Sequence, residues 1–168
     1  MPTIELLLRG FNVRSNQAGL GTSTIVLVRG RNNIVVDVGP YGRKALLDEA
    51  LKARGLTPND IQYVVLTHAH WDHCQNVDMF PKATWIMSQA EIEYTRHPRP
   101  GDFATPSYFA ATIQGLKIQY AKEGMEIEPG VKIIETPGHT PGHLSVVVTT
   151  DQGPVVLAAD ALSDADSI

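Results

Sequence analysis

Residues 64–76 read VVLTHAHWDHCQN, an apolar run that ends in threonine and is followed by three histidines and an aspartate between positions 68 and 73. The chain holds six histidines in 168 residues, so half of them stand in six positions. A lone histidine is usually a satisfied core or surface residue, but this density points to metal binding. The β-rich YVVLT delivers the chain to a sheet edge, where the next loop can present side chains without sacrificing core. His68 and His70 stand at i and i+2, so in an extended stretch both imidazoles point the same way and can share one ion. Asp72 and His73 come after the turn and can face a second position nearby. Imidazole and carboxylate donors without a thiolate suit zinc, iron or manganese, and zinc is the common choice for hydrolysis. Cys74 adjoins the cluster but falls outside its spacing, and reads as a small buried hydrophobe.

Two later segments extend the pattern. In IIETPGHTPGHLSVV, residues 133–147, a strand exits at Pro137 and Gly138 and presents His139, with His143 four residues on. Pro141 and Gly142 oppose a helix that would pair the two, so one of them is expected to reach the metal. His139, at the strand exit, is the expected ligand, and His143 a structural histidine or one that supports a ligand. Asp160 closes the apolar run VVLAAD, where an acid on its own reads first as a helix N-cap.

The length allows one domain with a real hydrophobic core. Apolar residues make up 43% and charged residues 19%, ordinary globular values. The longest apolar runs fall far below the ~18 to 20 residues that span a bilayer, so no membrane partner is expected. The N-terminus lacks the marks of a signal peptide, and the single cysteine fits a reducing compartment, which makes a cytoplasmic location the default. Fourteen basic against eighteen acidic residues give a net charge of -4, with no basic stripe. That balance disfavours a nucleic-acid partner.

Strands are expected at TIELLL, STIVLV, NIVVDV, QYVVLT, ATWIM, VKIIET, LSVVVTT and PVVLAA, the last two forming a hairpin. GRKALLDEALKARG places Leu46, Leu47, Ala50 and Leu51 on one helical face, with Gly55 as C-terminal cap. Ser88 and Glu91 have the spacing of a capping box opening the helix QAEIEYTR. The stretch HPRPGDFATPSYFAATIQG reads as an irregular loop with a short helix, a lid or pocket wall whose Phe103, Tyr108 and Phe109 suggest a partly apolar acyl group.

THAHWDH resembles the T-H-x-H-x-D-H motif of the metallo-β-lactamase superfamily, and TPGHTPGH followed by AAD resembles its next two metal-binding segments in the same order. NNIVVDVG and GLTPNDIQYVVLTH are similar too, so the resemblance covers residues 20–162. It implies an α+β fold, an αββα sandwich of two face-to-face sheets with helices outside. It also implies zinc, two ions, with His68, His70 and His139 on the first, Asp72 and His73 on the second, and Asp160 bridging. The members it most resembles are lactonase and glyoxalase II-like hydrolases acting on small-molecule esters, lactones or thioesters. In that reading a bound metal acidifies water at neutral pH and Asp72 orients it and carries a proton to the leaving group.

The family's further second-site histidine comes from a later strand, and only ALSDADSI follows Asp160. The expectation is one domain over residues 1–168 that lacks its C-terminal strands and helix, with polar, loop-like residues at its end. A second chain, in a homo-oligomer or otherwise, is the alternative source of the missing part. The rival functions are an iron-dependent sulfur dioxygenase, a nuclease of the same fold, and a scaffold without activity.

Overall fold

The structure is a computed structural model that describes residues 1–17 and 19–162. Its centre is a six-stranded sheet in the order β1 (Thr3–Leu8), β4 (Ile25–Arg29), β5 (Asn33–Val36), β6 (Tyr63–Val65), β7 (Thr84–Met87), β8 (Lys117–Tyr120). The first three are antiparallel and the last four run parallel, with β5 common to both sets. A second, antiparallel sheet has the order β12 (Gly153–Leu157), β11 (Leu144–Thr150), β10 (Val131–Glu135), β9 (Glu126–Glu128). A separate hairpin pairs β2 (Phe11–Arg14) with β3 (Gly19–Thr22).

The apolar runs explain this layering. Four consecutive residues of β4, Ile25 to Val28, are buried, as a strand covered on both faces requires. Ile25 and Leu27 join Val35, Val64, Leu66 and Trp85 in one core, packed with Leu47, Leu51, Ile92 and Phe109 from the helices. Val26, Val28, Ile34, Val36, Val65 and Ile86 face the other way, onto Val131, Ile133, Leu144, Val146 and Val148 of the second sheet. The helices are α1 (Lys44–Lys52), α2 (Trp71–Cys74), α3 (Gln89–Arg96) and α4 (Phe109–Thr112). All four place their buried apolar residues in the first core. The described residues therefore build helix, sheet and sheet in turn, and form no helical layer on the outer face of the second sheet.

All eight expected strands are present, with Gly55 closing α1 at a φ of 70°. Four strands were not anticipated. β2 and β3 bury neither face, and β8 and β9 are short edge strands with little buried surface, so none carries a strong apolar alternation. Leu46, expected on the buried face of α1, is exposed, while Leu47 and Leu51 are fully buried. The capping box is not formed either: α3 has no side-chain cap bond, and Glu91 is turned inward and buried. Residues 163–168, expected to be loop-like, lie outside the described residues. Among the described residues no helix is long and apolar enough to cross a membrane.

Candidate metal centre

Parallel strand β6 ends at Val65, and residues 66–70 continue beyond the sheet edge before the chain turns into α2. His68 and His70 leave this extended segment on one side, Ala69 packs into the core between them, and α2 carries Asp72 and His73. The loop after β10 brings His139, and the 3-10 turn Ala159–Ala161 after β12 brings Asp160. Ala159 has a φ of 46°, a strained conformation for a residue with a side chain, in the turn that presents Asp160.

One ligand atom each from His68, His70, His139 and Asp160 lies within 4.8 Å of the others. The Asp160 carboxylate divides between two sets of donors. Its Oδ2 stands 3.4 Å from His139 Nε2 and 3.9 Å from His68 Nε2, while its Oδ1 stands 3.5 Å from His73 Nε2. Asp72 Oδ2 lies 3.7 Å from the same His73 nitrogen. Two donors on one tetrahedral zinc stand roughly 3.3 Å apart, given bonds of about 2.0 to 2.1 Å. His70 Nδ1 and His139 Nε2 are closer, at 2.9 Å.

Hydrogen bonding fixes which nitrogens face the cluster. Asp37, at the end of β5 with a φ of 60°, accepts the Thr67 amide at 2.9 Å and the Thr67 hydroxyl. With that proton donated to a carboxylate, Thr67 Oγ1 must accept from His68 Nδ1 at 3.1 Å. His68 Nε2 is then a bare lone pair, buried and without a partner. His73 donates Nδ1–H to Asp37 Oδ2 at 2.8 Å, and its Nε2 is likewise buried and unpartnered. Buried polar atoms of this kind demand a partner, and a divalent cation fits these donors.

The charges of the two rings differ. Burial, and then the neighbouring imidazoles, push His68 well below the usual histidine range, so it is neutral at pH 7. For His73 burial pushes down, but Asp37, Asp160 and Asp72 together outweigh it and hold the ring at about 10. Burial pushes Asp72 up. Burial also pushes Asp160 up, but the His73 imidazole 3.5 Å away and the other imidazoles leave it below the usual carboxylate range.

All six expected ligands therefore meet in one place. His143 is not among the residues whose ligand atoms converge: it is buried, with Nδ1 2.8 Å from Thr136 Oγ1 and its ring 5.0 Å from that of His68. Asp160 makes no cap bond, so its reading as a helix cap is corrected. Cys74 is buried, with Sγ on the Ala69 carbonyl at 3.5 Å. Three acids beside the cluster were not assigned to it in the sequence, although Glu91 was read as part of a capping box. Asp37 braces Thr67 and His73. Asp102, in the loop after α3, places Oδ2 3.5 Å from His70 Nε2 while accepting hydrogen bonds from Tyr94 and Thr105. Burial pushes Asp102 up, but those bonds and His70 hold it at about 2. The third is Glu91. Of these, Asp37 carried the clearest signal, an acid within the apolar run NIVVDV, two residues before glycine.

A cavity of about 610 Å³ opens beside Asp72, His73 and Asp160, with Phe11, Val26, Val36, Leu157 and Leu162 among its apolar lining. The aromatics expected to form an apolar subsite do not line it: Phe103 is exposed and Phe109 belongs to the core. The loop that bears them does wall the ligand segment, through the Ala104 carbonyl, which accepts the Trp71 amide at 2.9 Å.

A sequence profile of the metallo-beta-lactamase superfamily matches residues 18–168. An N-acyl homoserine lactonase from Bacillus sp. is 34% identical over 113 residues, 66% of this chain and 42% of the relative. The metallo-beta-lactamase domain-containing protein 1 of Xenopus laevis is 31% identical over 164 residues, 94% of this chain and 62% of that protein. In structure, a mutant of AiiA from B. thuringiensis, with N-decanoyl-L-homoserine bound at its active site, superposes with a TM-score of 0.68. Identity to it is 25%, over 83% of this chain and 64% of that one. The chain thus spans between 42 and 62% of the length of these two curated relatives.

Proposed function

Because the chain belongs to the metallo-beta-lactamase superfamily and gathers a divided imidazole and carboxylate cluster beside an apolar-walled cavity, we propose that it is a metal-dependent hydrolase of lactones and related acyl esters. The observation that carries this is the split of Asp160, one oxygen toward His139 and His68 and the other toward His73. It supports two zinc positions, His68, His70 and His139 forming one and Asp72 and His73 the other, with Asp160 shared. Divalent ions there would supply the Lewis acidity that makes water nucleophilic near neutral pH and polarises a carbonyl.

The protein's own residues supply the rest. Asp72, half-buried at the cavity floor, is placed to orient the attacking water and carry its proton to the leaving oxygen. Phe11, Leu157 and Leu162 line the cavity, which gives an acyl chain an apolar surface while its carbonyl lies over the polar side. The lactonase relatives support a lactone as substrate. Both cores share the six-stranded sheet, which supports a single domain.

The test is a panel of N-acyl lactones, thioesters and phosphodiesters with the zinc-loaded protein, alongside metal analysis. Lactones are expected to turn over fastest. Preferred phosphodiester cleavage would replace this reading with a nuclease, and a single bound iron with oxygen uptake on a persulfide would replace it with a dioxygenase. Absence of turnover on every substrate, with zinc bound below stoichiometry, would mark a scaffold.

A further inference from the structure

Glu91 is 1% exposed, although it lies in the first turn of α3, where a glutamate ordinarily faces water. Its two oxygens are fully engaged. Oε1 accepts the Ala69 amide at 2.8 Å, between His68 and His70. Oε2 accepts the Thr140 hydroxyl at 2.7 Å and the Gly142 amide at 3.1 Å, in the loop that carries His139. One carboxylate thus ties together two loops that come from different sheets and carry three of the cluster's histidines.

The approach of those loops is shaped for this contact. A Cβ on Gly142 would lie 2.2 Å from the Glu91 backbone nitrogen, so only glycine lets the loop come close enough to donate. Burying a carboxylate is costly unless charge-assisted hydrogen bonds satisfy it, and an apolar side chain would hold a helix to a core more cheaply. The placement of a charge here, with three donors converging on it from both ligand loops, calls for a role beyond packing.

We infer that Glu91 is a positioning residue for the metal centre, which sets the separation and orientation of the His68–His70 segment relative to His139. The inference rests on the metal-site reading above. It requires that loss of the carboxylate loosen the ligand geometry, and so weaken and reshape metal binding, beyond any change in fold stability. Outer partners of ligands typically carry about 10 to 100-fold in metal affinity.

The experiment compares the intact protein with Glu91→Gln, Thr140→Val and the double variant. Zinc affinity is read by competition with a chromophoric chelator, and ligand geometry by the visible absorption of the cobalt-substituted protein. Glu91→Gln keeps the size but turns an NH2 group toward donors. It is expected to bind zinc about 10 to 100-fold more weakly, with a changed cobalt spectrum. Thr140→Val, which removes one donor, should lose affinity in the same direction by less, and the double variant should lose less than the product of the two. Unchanged affinity and spectrum in both single variants, even with a lowered melting temperature, would overturn the inference and leave Glu91 a packing residue. If Glu91→Gln does not fold, Thr140→Val decides alone. Failure of the unaltered protein to bind zinc would instead overturn the metal-site reading itself.

Discussion

His73 is the residue at which the electrostatics and the proposed chemistry meet. Its protein surroundings hold it at about 10, so at pH 7 the ring is an imidazolium bonded to Asp37 and facing Asp160. A cation binding at Nε2 must displace that proton, whereas His68, already neutral, gives none up. We therefore predict that, of the two proposed zinc positions, the one that includes His73 gains about tenfold in affinity per pH unit between pH 6.5 and 9, while the one that includes His68 changes less over the same range. Calorimetry in buffers of different ionisation enthalpy would count the protons released; equal slopes for both sites would contradict the assignment of His73. The same shift affects the fold of chelator-stripped protein. A raised folded-state value contributes stability that is fully present below the unfolded value of 6.5 and is lost as pH rises through about 10. Denaturation of the stripped protein should show stability falling over that window. At this scale the clustered side chains were legible because they crowd into HAHWDH and recur at strand exits. Asp37, Glu91 and Asp102 were not, since each is a single acid whose link to the cluster runs to residues far away in sequence: Thr67 is 30 residues from Asp37, Gly142 is 51 from Glu91, and Asp102 meets His70 from a separate loop.

The elements were read well where burial imposes a period and poorly where it does not. Strands of the two packed sheets are nearly continuous apolar runs and were found, whereas the hairpin of β2 and β3 has every residue but Thr22 exposed and leaves no such mark. Helix α1 shows how finely the period has to be read. Leu46 and Leu47 are neighbours in sequence, yet Leu46 is 50% exposed and Leu47 wholly buried against the large sheet. Leu47→Ala is expected to destabilise the protein by about 2 to 5 kcal/mol, and Leu46→Ala to stay within about 0.5 kcal/mol of the unaltered protein. Equilibrium urea unfolding of the two variants checks this; similar losses would mean that α1 packs with a different face. Glu91 shows the opposite error, a residue with the spacing of a helix cap whose side chain has been drawn inward by partners on two other loops.

In the whole molecule the centre is a joint between sheets. His68, His70, Asp72 and His73 follow a strand of the large sheet, while His139 and Asp160 follow strands of the small one, so a bound cation ties the two layers at one edge as the apolar core of Val26, Val36, Val131 and Val146 does between them. Anything that binds only the folded state stabilises it, by about 2.7 kcal/mol at a free concentration 100 times Kd. Zinc should accordingly raise the melting temperature and a strong chelator lower it; a melting temperature indifferent to both would mean that the cluster does not hold metal in the folded state. The fold and the gathering of the six side chains were legible as a whole because three histidine- and aspartate-bearing segments occur in family order, while the occupant of the cavity was not, because its apolar lining comes from residues as distant as Phe11 and Leu162.

The central claim is that this joint performs metal-dependent hydrolysis with Asp72 in the reaction. It is tested most directly by the rate of N-acyl lactone hydrolysis in three preparations: protein stripped by a chelator, the same protein restored with zinc, and zinc-loaded Asp72→Asn. The account predicts loss of activity on stripping, recovery with zinc, and a fall of about 100-fold or more in Asp72→Asn that retains bound metal. Undiminished hydrolysis by the stripped protein, or by Asp72→Asn, would contradict it.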